Sequence, residues 1–460
     1  MKNITLFCLM SLLSVPLSAQ KFVGDWKGNL QIQGNKLPIV FHISEMEGQL
    51  TASMDSPDQG AFGISTDTCY VEEDQLTIKA SAMMMTFTAT LQADQLNGTF
   101  QQGMTQLPLK MERMTDAEGP APRPQDPQPP FPYLREEVTF TNPAANIQLA
   151  GTLTLPKTDT PDQVLILISG SGPQDRNSEI KNHRPFLVWA DHLSRRGIAV
   201  LRFDERGVGE SEGEFSSATS QDFASDVQAA VDFLVHHEKF KNSSIGLLGH
   251  SEGGLVAPIV AQARPDQVDF LVLLAAPGVP IIDLMYEQNV KVAEGQGMVD
   301  PVKTMFLDQQ KAIFDLISKT GDLSKEAIRD SIFSFYEQRN GGINLRENPQ
   351  VKKAVDQFSS PWMRYFLAYD PQPVLQNLQV PVLAINGDKD TQVIAEQNIP
   401  GIEASLKKGG NNQLTTRIFP GLNHLFQSAE TGQASEYAQI EETVNPAVLE
   451  YVSDWILSAE

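Results

Sequence analysis

The chain holds only two cysteines, Cys8 in an apolar N-terminal stretch and Cys69 alone in the remainder. No internal disulfide framework is available, so stability must come from packed cores. Basic residues are also in short supply: 35 Lys and Arg stand against 57 Asp and Glu, a net charge of −22. That balance repels nucleic acid and anionic membrane surfaces, leaving neutral or cationic small molecules as the compatible partners. Apolar runs stop short of the roughly 20 residues needed to cross a bilayer, so no membrane insertion is expected. Histidine is scarce as well, with seven in the chain, which sharpens the search for a catalytic base.

The N-terminal stretch has its own logic. Lys2 precedes an apolar centre, Leu6-Phe7-Cys8-Leu9-Met10 and Leu12-Leu13, and Leu17-Ser18-Ala19 offers small residues for cleavage. Residues 1–19 read as a secretory signal peptide removed before Gln20, which predicts an exported protein, periplasmic or extracellular.

The stretch from Ile245 to Gly254 carries the chemistry. The apolar run Ile245-Gly246-Leu247-Leu248 leads into Gly249-His250-Ser251-Glu252-Gly253 and then into Leu255 to Ala261, which can begin a helix. Strand, tight turn and helix in that order present a serine at the tip of a strained turn, with a helix N-terminus pointing N–H groups toward developing negative charge. Ser251 is therefore the candidate nucleophile. A second Gly-x-Ser-x-Gly, Gly209 to Gly213 around Ser211, lies in a polar loop with no apolar strand running directly into it, and is a decoy.

A serine hydroxyl needs a histidine to take its proton and a carboxylate to fix that histidine's tautomer. His424, in Gly421-Leu422-Asn423-His424, is the only histidine after Ser251. The apolar run Val380 to Asn386 ends in Gly387-Asp388-Lys389-Asp390, where either aspartate can supply the acid.

These motifs together resemble the α/β-hydrolase superfamily, from Tyr133 to the C-terminus. The elbow matches Gly249 to Gly253, the acid loop Gly387 to Asp390, the histidine loop Gly421 to His424, and a further marker Asp204-Glu205-Arg206-Gly207-Val208-Gly209-Glu210-Ser211. The resemblance implies Asp390 rather than Asp388 as the acid and a structural role for the Ser211 loop. It also implies an oxyanion hole made by the backbone N–H groups of Ser171 and Glu252. The loop Ser169-Gly170-Ser171-Gly172 departs from the His-Gly-Gly-Gly form of lipases, so Gly170 stands as the alternative to Ser171. Asp175 and Arg176 are expected to brace this loop, with a grip on a substrate carboxylate as the alternative.

Residues 20–114 alternate apolar and polar side chains in short runs: Leu30 to Gln33, Leu37 to Ile43, Gln49 to Met54, Leu76 to Ala80 and Thr86 to Leu91. With Glu47-Gly48 and Asn97-Gly98 as hairpin turns, this predicts a small antiparallel barrel or sandwich. Trp26 is expected to plug its end, and Met83-Met84-Met85 to fill core gaps rather than flank a pocket. The domain reads as a structural or homo-oligomerising appendage rather than a ligand carrier.

Residues 115–132 are rich in proline and predict an extended linker. Residues 133–460 predict an α/β-hydrolase domain: an antiparallel pair at its start, then a mostly parallel sheet with helices on both faces. Between Pro277 and Pro373 the helical periodicity of Pro301 to Lys319 and Lys325 to Gln338 predicts a cap inserted at about 279–375. Its aromatic end offers Trp362 and Phe366 as pocket residues.

The expected chemistry is acyl transfer by a serine carboxylesterase on a small ester, with no metal or organic cofactor implied. A serine aminopeptidase holding an ammonium group on Glu252 or a cap carboxylate is the first alternative. A non-catalytic glycan- or lipid-binding protein is the second.

Overall fold

The computed structural model describes residues 20–32, 35–46, 49–56, 61–103, 105–114, 123–157, 160–321 and 323–458. The signal-peptide expectation for residues 1–19 and the Glu47-Gly48 turn lie outside them. The chain divides into two compact units, Met1–Ala121 and Pro122–Glu460.

The first unit is a nine-stranded antiparallel sheet: β1 (Gly24–Ile32), β2 (Asn35–Met46), β3 (Gln49–Ser56), β4 (Ala61–Ser65), β5 (Thr68–Glu72), β6 (Gln75–Ala80), β7 (Met85–Gln92), β8 (Gln95–Gln102) and β9 (Thr105–Arg113). Its order is β4-β3-β2-β1-β9-β8-β7-β6-β5. Phe41 on β2 stacks on Phe87 on β7 at 5.1 Å although three strands separate them, so the sheet curls around a shared core. That core is filled by Trp26, Met54, Leu76, Ile78, Leu109 and Met111. Trp26 is fully buried, its Nε1–H donates to the Phe22 carbonyl at 2.8 Å, and the Arg113 guanidinium covers its ring.

Two readings of this unit change. Asn97-Gly98 is not a turn but lies inside β8; the turn is four residues earlier at Ala93-Asp94, both at positive φ, between the paired Gln92 and Gln95. Gly98 is there because a Cβ would come within 2.3 Å of the Thr88 carbonyl on β7, so its lack of a side chain serves close strand approach. The three methionines divide: Met85 is in the core, while Met84 is exposed at positive φ.

The second unit opens with 123–132, which is not a free spacer. The Arg123 guanidinium donates to the carbonyls of Lys181, Ala438 and Ile440, and the Gln125 amide donates to that of Val444. These bonds to loop carbonyls tie the described end of the proline-rich segment down.

Its sheet contains β10 (Leu134–Asn142), β11 (Ile147–Leu155), β12 (Gln163–Ile168), β13 (Ala199–Phe203), β14 (Ser244–His250), β15 (Phe270–Leu274), β16 (Val382–Gly387) and β17 (Leu414–Phe419). The order is β10-β11-β13-β12-β14-β15-β16-β17, antiparallel across the first two pairings and parallel thereafter. The interior strands are apolar on both faces because helices cover both. On one face lie α1 (Pro185–Arg195) and the C-terminal helix; on the other lie α2 (Ser220–Val235) and α3 (Gly253–Ala263).

Between β15 and β16 the described residues form six helices: α4 (Ile281–Gly295), α5 (Asp300–Ser318), α6 (Lys325–Arg339), α7 (Pro349–Phe358), α8 (Pro361–Ala368) and α9 (Gln372–Gln376). These build a cap with its own core around Ile313, Ile317, Ile328, Ile332 and Met363. Then α10 (Ala395–Lys408) follows β16, and α11 (Pro446–Ser458) closes the chain. The architecture is an α/β-hydrolase fold with an inserted helical cap, preceded by a small all-β unit.

Candidate active site

The apolar strand β14 runs directly into Ser251, which sits at φ 55° before α3 begins. A non-glycine residue held there costs on the order of 1–3 kcal/mol and persists only where its surroundings over-determine it. The Ser251 N–H donates to the Leu274 carbonyl of β15 at 2.9 Å, which pins the turn to the sheet. Gly253 lets it close: a Cβ there would meet the Ile168 carbonyl of β12 at 2.1 Å. Ser211, by contrast, is buried as a brace, its hydroxyl donating to the Asp204 carbonyl and accepting from the Ala150 N–H.

The two aspartates after β16 separate cleanly. Asp390 Oδ2 lies 2.8 Å from His424 Nδ1, and its Oδ1 accepts from the N–H groups of Gln392 and Val393. Asp390 and His424 are both buried, so this pair is screened little by solvent. Asp388 turns away and accepts from the Gly421 N–H at 2.6 Å, holding the histidine loop.

Ser251 and His424 line one cavity of about 290 Å³ with Gly170, Ser171, Trp362 and Phe366. No hydrogen bond joins Ser251 Oγ to His424 among the described residues, a looseness common before substrate tightens such a contact. The amides of Gly170, Ser171 and Glu252 likewise have no acceptor among the described residues. Gly170 lies against the nucleophile, its Cβ position 3.1 Å from Ser251 Cβ, so the pair Gly170 and Ser171 stays open as the first donor.

The loop carrying that donor is stapled at both ends. Glu205 accepts from the Ser169 hydroxyl at 2.6 Å through one oxygen and from the Gln174 N–H at 3.1 Å through the other. Burial, with Glu252 and Asp226 nearby, pushes the Glu205 carboxyl up to about 8. Arg176 grips Asp204 with two nitrogens and also reaches Glu137 and Glu210, while Asp175 accepts from the N–H groups of Asn177 and Glu179. Both residues therefore brace the loop.

Trp362 and Phe366 stack at 4.9 Å on the cavity wall, and the Trp362 indole N–H donates to Glu252 Oε1 at 2.8 Å. His250 is a wall residue that the sequence reading passed over. Its Nε2–H donates to the His424 carbonyl at 2.9 Å, and burial beside His424 pulls it down to about 3, so it is a neutral clamp on the histidine loop. Its place at the end of β14, next to Ser251, was the available signal. Glu205 was equally visible within its motif, but its partners Ser169 and Gln174 lie some thirty residues upstream. Among the described residues no group of His, Cys, Asp and Glu is arranged to hold a metal ion.

A family described as serine aminopeptidase, S33, matches residues 184–334. Esterase EstD of Thermotoga maritima is 25% identical over 310 residues, 67% of this chain and 65% of EstD, so the match spans slightly less than two thirds of that relative. YfhR, an uncharacterized protein of Salmonella typhi, is 33% identical over 72 residues, 16% of this chain and 23% of its own length. Among solved structures, the Pyrococcus furiosus esterase Pf2001 aligns at a TM-score of 0.41 with 16% identity, covering 71% of this chain and 90% of that one. Est1E of Butyrivibrio proteoclasticus, with ferulic acid bound, aligns at 0.41 with 18% identity, covering 70% and 98%. The sheet order, the elbow after β14 and the Asp390–His424 pair after the last two strands, beside the match to that family over residues 184–334, lead to one conclusion: the chain has the α/β-hydrolase fold and is similar to serine hydrolases built on it.

Proposed function

We propose that the protein is a serine carboxylesterase acting on short-chain acyl or aryl esters. In this reading His424 Nε2 takes the Ser251 proton as Oγ bonds to the ester carbonyl carbon, and Asp390 holds the Nδ1–H tautomer. The oxyanion that forms is met by the Glu252 N–H and by that of Ser171 or Gly170. Collapse expels the alcohol, which leaves with the proton from His424. Water, deprotonated by the same imidazole, then releases the acid from the acyl-enzyme.

The observation that carries the choice of substrate is the charge of the cavity wall. Among the described residues it has no lysine or arginine, and its one carboxyl is Glu252. That carboxyl is engaged by Ser220 and Trp362, and burial pushes it toward the neutral form. Four glutamines, Gln174, Gln288, Gln357 and Gln392, supply polarity without charge. A neutral ester suits this wall, and a cavity of about 290 Å³ favours a short acyl group.

The description of the matching family favours a second reading, a serine aminopeptidase. That reaction calls for an anion to hold the substrate ammonium, a task to which the buried Glu252 is poorly suited. Hydrolysis of p-nitrophenyl esters from acetate to long chains, beside aminoacyl p-nitroanilides, decides between them. The expected result is release from short esters that Ser251→Ala abolishes. Release from the anilides would move the protein to the aminopeptidases, and silence on both would return it to the binding reading.

A further inference from the structure

Glu252 follows the nucleophile, and its side chain has a more unusual environment than its position requires. The carboxyl is almost wholly buried, and one oxygen, Oε1, accepts two bonds: from the Ser220 hydroxyl at 2.6 Å and from the Trp362 indole N–H at 2.8 Å. Ser220 opens α2 beneath the elbow, and Trp362 belongs to the cap helix α8. The Ser171 hydroxyl lies close enough to favour the ionised form, yet Oε2 remains buried without a hydrogen-bond partner.

We propose that Glu252 is a positioning residue: through Ser220 and Trp362 its carboxyl fixes the amide that meets the oxyanion and couples that amide to the seating of the cap. The inference rests on the ester-hydrolase reading above. The left-handed Ser251 needs restraints on either side to hold its strain. The Leu274 carbonyl supplies one before the turn, and the Glu252 side chain supplies one after it. Because Trp362 also stacks on Phe366 at the cavity wall, an acyl group pressing on the aromatic pair bears on the same indole that holds residue 252.

The arrangement specifies which chemical feature matters. Two donors converge on one oxygen, as they would on an amide carbonyl, and the second oxygen stands bare in a buried place where an ionised group would lack support. An acceptor is required at Oε1, and a negative charge is not. Glutamine therefore keeps what alanine removes.

The test measures kcat and KM for a short p-nitrophenyl ester with wild type, Glu252→Ala, Glu252→Gln and Trp362→Phe. Loss of a well-placed oxyanion donor costs about 10²–10³-fold in kcat, so disordering one is expected to cost about 10–100-fold in Glu252→Ala, with KM within about threefold. Glu252→Gln should recover at least about fivefold of that loss in kcat, because a neutral acceptor is restored for the Ser220 and Trp362 donors. Trp362→Phe keeps an aromatic ring but deletes the N–H, and should lower kcat by about three- to tenfold on the same scale. A Glu252→Ala kcat within twofold of wild type, a loss confined to KM, or no recovery in Glu252→Gln would overturn the proposal. If Glu252→Ala fails to fold, Trp362→Phe decides alone, and an unchanged kcat there overturns it. Wild-type hydrolysis abolished by Ser251→Ala upholds the ester reading by itself, so these failures would fall on Glu252 only; a silent wild type would remove both.

Discussion

Asp388 and Asp390 stand two residues apart in one loop and have different tasks. Asp390 uses one oxygen on His424 and the other on two backbone N–H groups, which fixes the carboxylate before the imidazole meets it. Asp388 only ties Gly421. Asp390→Asn is expected to lower kcat by about 10⁴-fold, because the amide favours the wrong imidazole tautomer. Asp388→Asn should cost less than about tenfold, since it disturbs a loop hydrogen bond of about 1 kcal/mol. Equal losses in the two variants would contradict the assignment. At this scale the sequence was informative where chemistry is local: Ser251 stands out by the strand and helix around it, and Ser211 by their absence. The choice between the aspartates was not local. It depended on a contact across 34 residues, and only family resemblance favoured Asp390 in advance.

Among the elements, the loop after β12 is held as a unit by one buried carboxyl. Glu205 bonds Ser169 and Gln174, on either side of Gly170 and Ser171, and is faced by the carboxyls of Glu252 and Asp226. Its folded value of about 8 lies above the ordinary 4.5. Between those two values the native state keeps a proton that the unfolded chain has released. Stability from this group is therefore greatest at acid pH and is lost as pH rises through that window. Glu205→Gln removes the titration, so its Tm relative to wild type should be higher by several degrees at pH 8 than at pH 5, measured by thermal unfolding. A difference that does not change with pH would contradict this. Strands were the most legible elements, because buried parallel strands are continuous apolar runs such as Val164 to Ile168 and Phe270 to Leu274. The Asn97-Gly98 pair misled because glycine serves both tight turns and close strand packing, and sequence alone does not separate the two.

For the whole molecule, the net negative charge and the sparsely charged cavity wall are separate features. The net charge of −22 says little about the substrate, while the wall beside Ser251 has no lysine or arginine and a single carboxyl, Glu252, among its described residues. The cap was legible as a long helical insertion between two apolar strands, but its contribution to the site was not. The Trp362–Glu252 bond spans 110 residues and joins two motifs that nothing in the sequence links. The central claim is that one serine, presented by the elbow after β14, performs the chemistry. Reaction with a fluorophosphonate, followed by peptide mapping by mass spectrometry, tests it most directly. The account predicts a single adduct on Ser251, forming in step with loss of ester hydrolysis and absent in Ser251→Ala. An adduct on Ser211, or complete inactivation with Ser251 unmodified, would contradict it.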